Sequence, residues 1–218
     1  MVLRVSFVAF AIFWCALAIA PVSRSDWMLE NVMTLVGAGL LLVFWRKGTL
    51  SQTSIILALT FLTLHAIGAH YTYSLVPYDD WARNLFGRSI TDVTGSQRNQ
   101  YDRLVHFSFG LLLAIPCHEW LVRSGMASNR GAWWITLLIA MAASHLYELI
   151  EWGAAETFGG QLGAAYVGTQ GDEWDAQKDM ALATLGTFIG VALGILFGTP
   201  RGLRGSPRAI SSGAATPL

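Results

Sequence analysis

The sequence predicts an all-α protein that crosses a membrane as a bundle of about six helices. Of its 218 residues, 54% are hydrophobic and 13% are charged, whereas soluble domains carry roughly 25% charged residues. The mean hydropathy is +0.48. The apolar residues are grouped in continuous runs rather than alternating with polar residues, which favours helices over barrel strands. Six runs have about the length that crosses a bilayer, at roughly 5–22, 28–45, 53–73, 104–121, 132–152 and 179–198.

The first apolar run has two interpretations. Ala18-Ile19-Ala20 resembles a signal-peptide cleavage site, but Pro21 follows it and disfavours cleavage. We therefore favour an uncleaved membrane anchor over a removed signal. Together with the other five runs it gives a single transmembrane domain over residues 1–199. The Gly-, Ser- and Pro-rich residues 200–218 are predicted to form a disordered tail.

Two long connections, 77–101 and 153–178, follow the third and the fifth runs. They are rich in Gly, Asp, Thr and Gln, which is typical of extramembrane loops. Lys and Arg are denser in the short connections, and basic residues favour the cytoplasmic side of a membrane. We therefore expect both termini in the cytoplasm and both long connections outside. With six spans, 13 of the 14 acidic residues lie at the outer face, and only Glu119 lies at the inner face.

The charge balance and the cysteines exclude two classes of protein. Fourteen basic and fourteen acidic residues give a net charge of zero, which leaves no surplus for the phosphates of a nucleic acid. Cys15 and Cys117 both lie inside apolar runs, so neither a disulfide scaffold nor a CxxC zinc site is available. We expect membrane lipid around the protein and no nucleic-acid partner.

The start of the fourth run combines an acid with a histidine. Asp102 and His106 are four residues apart and therefore share one face of a helix. A helix start explains Asp102, which favours the helix dipole, and Arg103, which reaches towards the headgroups. It does not explain His106, which lies one turn inside the apolar run. We therefore predict a functional role for His106.

The end of the fifth run carries His145, Glu148 and Glu151 at spacings of three. Two glutamates at the C-terminal end of a helix oppose its dipole. A carboxylate among apolar neighbours, as at Glu148, requires a compensating cation. That cation is a metal ion, Arg103 or a proton. A solvated helix end is a sufficient explanation for Glu151.

Asp172, Asp175 and Asp179 lie on one helical stripe at the start of the sixth run. A capped helix start explains the first two acids. Asp179 lies about 10 Å deeper than Asp172 at 1.5 Å per residue, so its carboxylate needs a partner.

Three further histidines are assigned by position. His70 ends the third run at the same membrane face, where it is a candidate for the rim of the site or for an aromatic belt with its neighbouring tyrosines. His65 is expected to be an interior histidine that points away from His70. His118 is expected at the opposite face and outside the site.

All these stripes begin at one membrane face, so we expect them to face a single cavity. Histidine with several carboxylates suits a divalent zinc, manganese or iron ion. We predict His106, Glu148 and Asp179 as metal ligands. Asp102, Glu148 and Asp175 are predicted catalytic groups that orient a ligand or move a proton. Supporting roles are predicted for His70, Arg103, His145, Glu151 and Asp172.

Four motifs carry a resemblance to a known family. They are His70-Tyr71-Thr72-Tyr73, the run from Arg98 to Phe107, Tyr147–Trp152 and Gly168–Met180. With them the chain resembles the YjdF-like family of bacterial inner-membrane proteins over nearly its whole length except the tail. The resemblance implies an inner-membrane location and supplies no reaction. Val105 and Phe109 depart from the family pattern, which has Gly and Gln near the histidine, and they make this helix face less polar.

A shorter and more degenerate pattern is similar to the VanZ-like membrane proteins, which are associated with glycopeptide resistance. This similarity is only an analogy. The corresponding residues, in chain order, are Asp102, His106, Phe107, Glu148, Asp175 and Asp179.

Three functions are compatible with these residues, and the sequence leaves open whether the protein is an enzyme. The first is a membrane enzyme acting on a lipid-linked or cell-envelope substrate, with an ion that activates water or polarises a phosphoryl or carbonyl oxygen. The second is a proton-coupled transporter that uses the same groups as a relay, although no span is broken at mid-membrane. The third is a non-catalytic membrane protein whose polar cluster is a structural network.

Overall fold

The structure is a computed structural model that describes residues 1–96, 98–158 and 169–198. An all-α bundle of about six spans is confirmed: five described helices are long and apolar enough to cross a membrane, and a sixth apolar helix has 16 residues. The described helices are α1 (Val2–Leu17), α2 (Arg24–Lys47), α3 (Gln52–His70), α4 (Tyr78–Phe86), α5 (Ile90–Thr94), α6 (Tyr101–Arg123), α7 (Asn129–Phe158) and α8 (Asp175–Phe197). The short apolar helix is α1.

Helix α1 ends at Leu17, earlier than the apolar run 5–22 predicts. Ala20 has a φ of 49°, and the proline that follows it disfavours a helical conformation in the preceding residue. The turn is fixed by a hydrogen bond of 3.0 Å from the Val22 N–H to the carbonyl oxygen of His70. The chain therefore leaves α1 early and meets the end of α3.

Helices α6 and α8 run parallel and pack backbone to backbone. A Cβ atom on Gly110 would lie 1.9 Å from the carbonyl oxygen of Ala183, and one on Gly186 would lie 2.1 Å from that of Phe107. Small residues allow such close approach between membrane helices, which associate through packing rather than through exclusion from water. The stripe of small residues on α8 continues through Gly190 and Gly194. As a result, the acidic N-terminal ends of α6 and α8 lie side by side.

Helix α6 lies at the centre of the bundle. It packs against α3, α7 and α8, whereas α1 and α2 both pack on α3. Helix α7 packs on α6 and α8. Because α2 and α7 rest on different neighbours, a cleft opens between them, and a cavity lined by both helices occupies it.

A buried acid joins α3 to α6 at the face opposite the predicted site. The Glu119 carboxylate accepts hydrogen bonds from the Ser51 N–H at 3.0 Å and from the hydroxyls of Ser51 and Ser54. It also pairs with Arg123 at 2.7 Å. Ser51 is the N-cap of α3, so the carboxylate faces the positive end of a helix dipole. Glu119, which is completely buried, therefore has a structural role.

The first long connection, 77–101, contains α4 and α5, which its polar composition does not predict. Asp79 joins them by accepting hydrogen bonds from the N–H and the hydroxyl of Thr91. These hydrogen bonds hold the pKa of Asp79 below its ordinary value. In the second connection, 153–178, helix α7 continues to Phe158. Residues 159–168 and the predicted tail, 200–218, lie outside the described residues.

Candidate functional site

Acids and a histidine from three helices meet at one face of the bundle. His106 Nε2 lies 3.5 Å from Asp102 Oδ1 and 3.6 Å from Glu148 Oε1. One potential ligand atom from each of Asp102, His106 and Asp179 lies within 4.8 Å of the other two. Two ligands bound at 2.0–2.2 Å to one tetrahedral zinc ion are ~3.4 Å apart. Asp102, His106 and Asp179 are therefore close enough together to form a candidate group of ligands, and Glu148 adjoins it through His106.

Asp172 and Asp175, at the start of α8, are paired with cations. Arg98 Nη1 lies 2.6 Å from Asp175 Oδ1, and Arg103 Nη2 lies 2.5 Å from Asp172 Oδ2. Lys178 Nζ lies 2.6 Å from the same oxygen of Asp172. Hydrogen bonding from Lys178 is the main reason that the pKa of Asp172 is lowered to about 2. Asp172 and Asp175 are thus charge-compensated within the fold.

Arg98 belongs to the site although it is absent from the predicted site residues. Its guanidinium donates to the carbonyl oxygen of Thr169 at 2.6 Å, and its Nη2 lies 3.7 Å from Asp102 Oδ2. These contacts bring the connection before α6 against the connection before α8. The available sequence signal was the spacing of four between Arg98 and Asp102, which suits an ion pair on a helix.

The deeper acids lack such partners. Among the described residues, no lysine or arginine lies within 4.0 Å of the Glu148, Glu151 or Asp179 carboxylates. Asp179 is only 2% exposed. Its Oδ1 and the Oε1 of Glu148 are buried without a hydrogen-bond partner in the described part of the chain. Burial of ionised carboxylates without a cation is costly, so this set is suited to bind a cation or to share protons.

Helix α2 adds a fourth side to the site through Glu30, which the sequence reasoning missed. Glu30 is 4% exposed, and its Oε2 accepts a hydrogen bond of 3.0 Å from the Tyr147 hydroxyl. The signal was available, because Asp26, Glu30 and Thr34 recur every four residues and are all buried. Such a polar stripe on a spanning helix faces the bundle interior.

The structure places His70 and His145 away from the polar cluster. His70 Nδ1 bonds to the carbonyl oxygen of Leu17 at 2.7 Å, so His70 fixes the end of α1 and does not form the rim of the site. His145 is exposed on α7, in contrast to the buried Ser144 beside it. His65 was expected outside the site. Its ring contacts Glu30 and Tyr73 rather than Glu148, but it lines the same cavity as His106.

His118 lies where the sequence predicts, at the opposite face. Its Nε2 bonds to the carbonyl oxygen of Asn129 at 3.0 Å, and its ring stacks on Trp133 with 3.6 Å between centroids. His118 therefore has a packing role.

A cavity of about 690 Å³ begins at the polar cluster and runs between α2, α3, α6 and α7. Most of its wall is apolar, and it extends along α6 as far as Trp120. Its polar end is lined by His65, Tyr73, Asp102, His106 and Tyr147. Asp102 and His106 are thus the members of the cluster that are accessible from the cavity.

Comparison with known proteins agrees with this architecture. The chain matches the family described as "Predicted membrane protein (DUF2238)" over residues 2–199. It is 37% identical over 168 residues to the inner membrane protein YjdF of Escherichia coli (strain K12), a match that covers 75% of this chain and 74% of that protein. No solved structure matches the chain. With its apolar helices and a match over nearly its whole length, the chain belongs to the DUF2238 family of multi-pass inner-membrane proteins.

Proposed function

We propose that the protein is a membrane enzyme that holds a divalent zinc, manganese or iron ion and acts on a lipid-linked or cell-envelope substrate. The observation that carries the proposal is the meeting of His106 with Asp102, Glu148 and Asp179. The deeper carboxylates face no lysine or arginine in the described part of the chain. One imidazole nitrogen and several carboxylate oxygens form a donor set that suits these ions.

The chain's own groups divide into ligands and positioning residues. His106, Glu148 and Asp179 are the proposed ligands, and the bound ion would supply Lewis acidity to a water, phosphoryl or carbonyl oxygen. Asp102 lines the cavity and is therefore placed to accept a proton from a reacting group there. Asp175 is held by Arg98 at 2.6 Å, so it is placed to orient the neighbouring ligands.

Metal content of the purified protein tests the proposal. The detergent-solubilised protein is equilibrated with zinc, manganese or iron, passed through a desalting column and measured by inductively coupled plasma mass spectrometry. We expect about one ion per chain in the wild type and a loss of most of it in His106→Gln and Asp179→Asn, because each removes a ligand. His145→Gln is the matched control, since His145 is exposed on α7. Absence of every ion from the wild type would contradict the proposal.

A proton-coupled transporter is the second candidate. Tyr73 bonds to His65 at 2.5 Å, His65 Nε2 lies 4.0 Å from Glu30 Oε2, and Tyr147 bonds to Glu30 at 3.0 Å. This series suits a proton relay. However, its described members stay at one membrane face, and the cavity wall between them and the Glu119 cluster is mainly apolar. The test is proton flux into proteoliposomes that contain the metal-free protein. A flux in the wild type that Glu30→Gln abolishes would favour the transporter.

The remaining alternative is a structural polar network. The pairs Arg98–Asp175 and Arg103–Asp172 support it for the outer layer of the cluster. It predicts that Asp179→Asn lowers stability in the absence of metal. The enzyme proposal predicts that the same change relieves the burial of an unpaired carboxylate in the metal-free protein. Thermal unfolding of both metal-free proteins distinguishes the two.

A further inference from the structure

The cavity beside the polar cluster opens sideways between α2 and α7. Val36 and Leu40 of α2 line it and are 53% and 51% exposed, and Leu146 and Ile150 of α7 line it and are 57% and 47% exposed. These side chains lie within spanning helices, so their exposed surfaces face hydrocarbon. The hydrogen bond between Glu30 and Tyr147 joins the two helices at the polar end. The cleft is therefore closed by a polar link at one end and open to lipid along its side.

The length of the cleft indicates what fills it. It runs along α6 from Asp102 to Trp120, a distance of about 27 Å at 1.5 Å per residue. The hydrocarbon core of a bilayer is about 30 Å thick, so the cleft extends through nearly both leaflets. A phospholipid chain occupies about half of that thickness. A cleft of this length matches a longer apolar chain.

Small residues widen the cleft on two sides. Gly37 on α2 and Ala143 on α7 both line it. A Cβ atom on Gly37 would lie 3.0 Å from Leu62 Cδ2, so a larger side chain there must displace the Leu62 side chain, which also lines the cleft. Two nearby positions do not line the cleft and serve as controls. A Cβ atom on Gly39 would meet nothing within 4 Å, and Ala142, next to Ala143, is exposed.

We propose that this cleft holds the chain of a long-chain polyprenyl phosphate, with its phosphate at the polar cluster. This inference rests on the proposed function, because an anionic phosphate approaches so many carboxylates only through a bound cation. Asp102 and His106 lie at the head of the cleft, where a phosphate oxygen would complete the coordination of the ion. The open side between α2 and α7 allows a lipid to enter without crossing the headgroup region.

Equilibrium binding of undecaprenyl phosphate to the metal-loaded protein in detergent tests the inference. Ala143→Trp and Gly37→Leu fill the cleft from opposite walls, and Ala142→Trp and Gly39→Leu are their matched controls. We expect the controls to bind like the wild type and the cleft variants to bind at least about tenfold more weakly. Dioleoyl phosphatidylglycerol, a shorter phosphate lipid, should compete poorly. Size-exclusion chromatography and thermal unfolding check that each variant is folded.

The outcomes separate this inference from the proposed function. Equal binding by the cleft variants and their controls, or equal competition by phosphatidylglycerol, overturns the inference even if the metal content is unchanged. If the proteins bind no metal ion but the cleft variants still bind undecaprenyl phosphate more weakly than their controls, the enzyme proposal is refuted and the lipid cleft is retained. If neither cleft variant folds, the preference of the wild type between the two lipids decides the question.

Discussion

Gly110→Ala tests the contact that brings the acids of α6 and α8 together. The added Cβ would lie 1.9 Å from the carbonyl oxygen of Ala183 and 2.5 Å from the Thr187 nitrogen. Ordinary contacts begin near 3.4 Å, so the two helices must separate by about 1.5 Å, the difference between 3.4 and 1.9 Å. Because the opposing atoms belong to the backbone, no rotamer change relieves the clash. Overpacking costs ~1–3 kcal/mol, and we expect a loss of ~3 kcal/mol here.

Gly153→Ala is the matched control, because nothing lies within 4 Å of a Cβ atom at that position. Both variants gain about the same helix propensity, up to ~1 kcal/mol, so the difference between them reports the clash. The free energy of unfolding is measured by denaturant titration in detergent micelles. We also expect Gly110→Ala to bind metal more weakly, since ligand positions must hold to ~0.2 Å. Equal stability of the two variants would refute backbone-to-backbone packing of α6 and α8.

Three further predictions concern the opposite face, the pH dependence and the topology. Glu119→Leu should lower the free energy of unfolding by ~3–5 kcal/mol, because it leaves buried donors and a cation unpaired. The control Asp80→Asn, at an exposed ion pair, should change it by less than ~0.5 kcal/mol. Similar losses in the two variants would contradict the structural role of Glu119. Since the pKa of Asp172 is lowered from 3.8 to about 2, its ionised form stabilises the fold above pH 3.8, and this contribution is lost as the pH falls towards 2. Asp172→Asn should remove the decrease in unfolding temperature that this loss causes at low pH. An unchanged pH profile would argue against the stabilising role of the Asp172 carboxylate. In a cysteine-free background, a cysteine that replaces Gly95 should react with an impermeant maleimide added outside the cell, whereas one that replaces Ser212 should not. The opposite pattern would invert the proposed orientation of the protein in the membrane.

Much of the fold follows from hydrophobic run length, and the exceptions have local causes. The spans of α3 and α6 begin within a few residues of the predicted runs because apolar length alone sets them. Helix α1 ends early at a proline turn, a local effect that run length does not report. Helix α4 ends at Gly87 in a left-handed conformation, a stop signal present in the sequence. The sequence also carries a signal for the close packing of α6 on α8, namely the glycines spaced by four on α8.

The candidate site was predictable where one helix face determined it. Spacings of three and four placed Asp102 with His106 and Glu148 with Glu151, because residues at these intervals share a face. The same rule failed for His145, since the buried stripe of α7 runs through Ser144, four residues before Glu148. Arg98 was missed because its nearest partners, Thr169 and Asp175, are about seventy residues away in the chain and only tertiary contacts join them; its spacing of four from Asp102 was the one local signal.

The order in which the acids of α8 are paired argues against a purely structural cluster. Asp172, nearest the solvent, has both Arg103 and Lys178 as partners. Asp175, one turn deeper, contacts Arg98. Asp179, about 10 Å below Asp172 along the helix, has neither a lysine nor an arginine within 4.0 Å among the described residues. The desolvation penalty of a carboxylate rises with depth in a membrane, so a cluster selected for stability alone would pair the deepest acid first. Here the compensation runs in the opposite direction, and the carboxyl group that the described lysines and arginines leave without a partner lies beside Asp102 and His106.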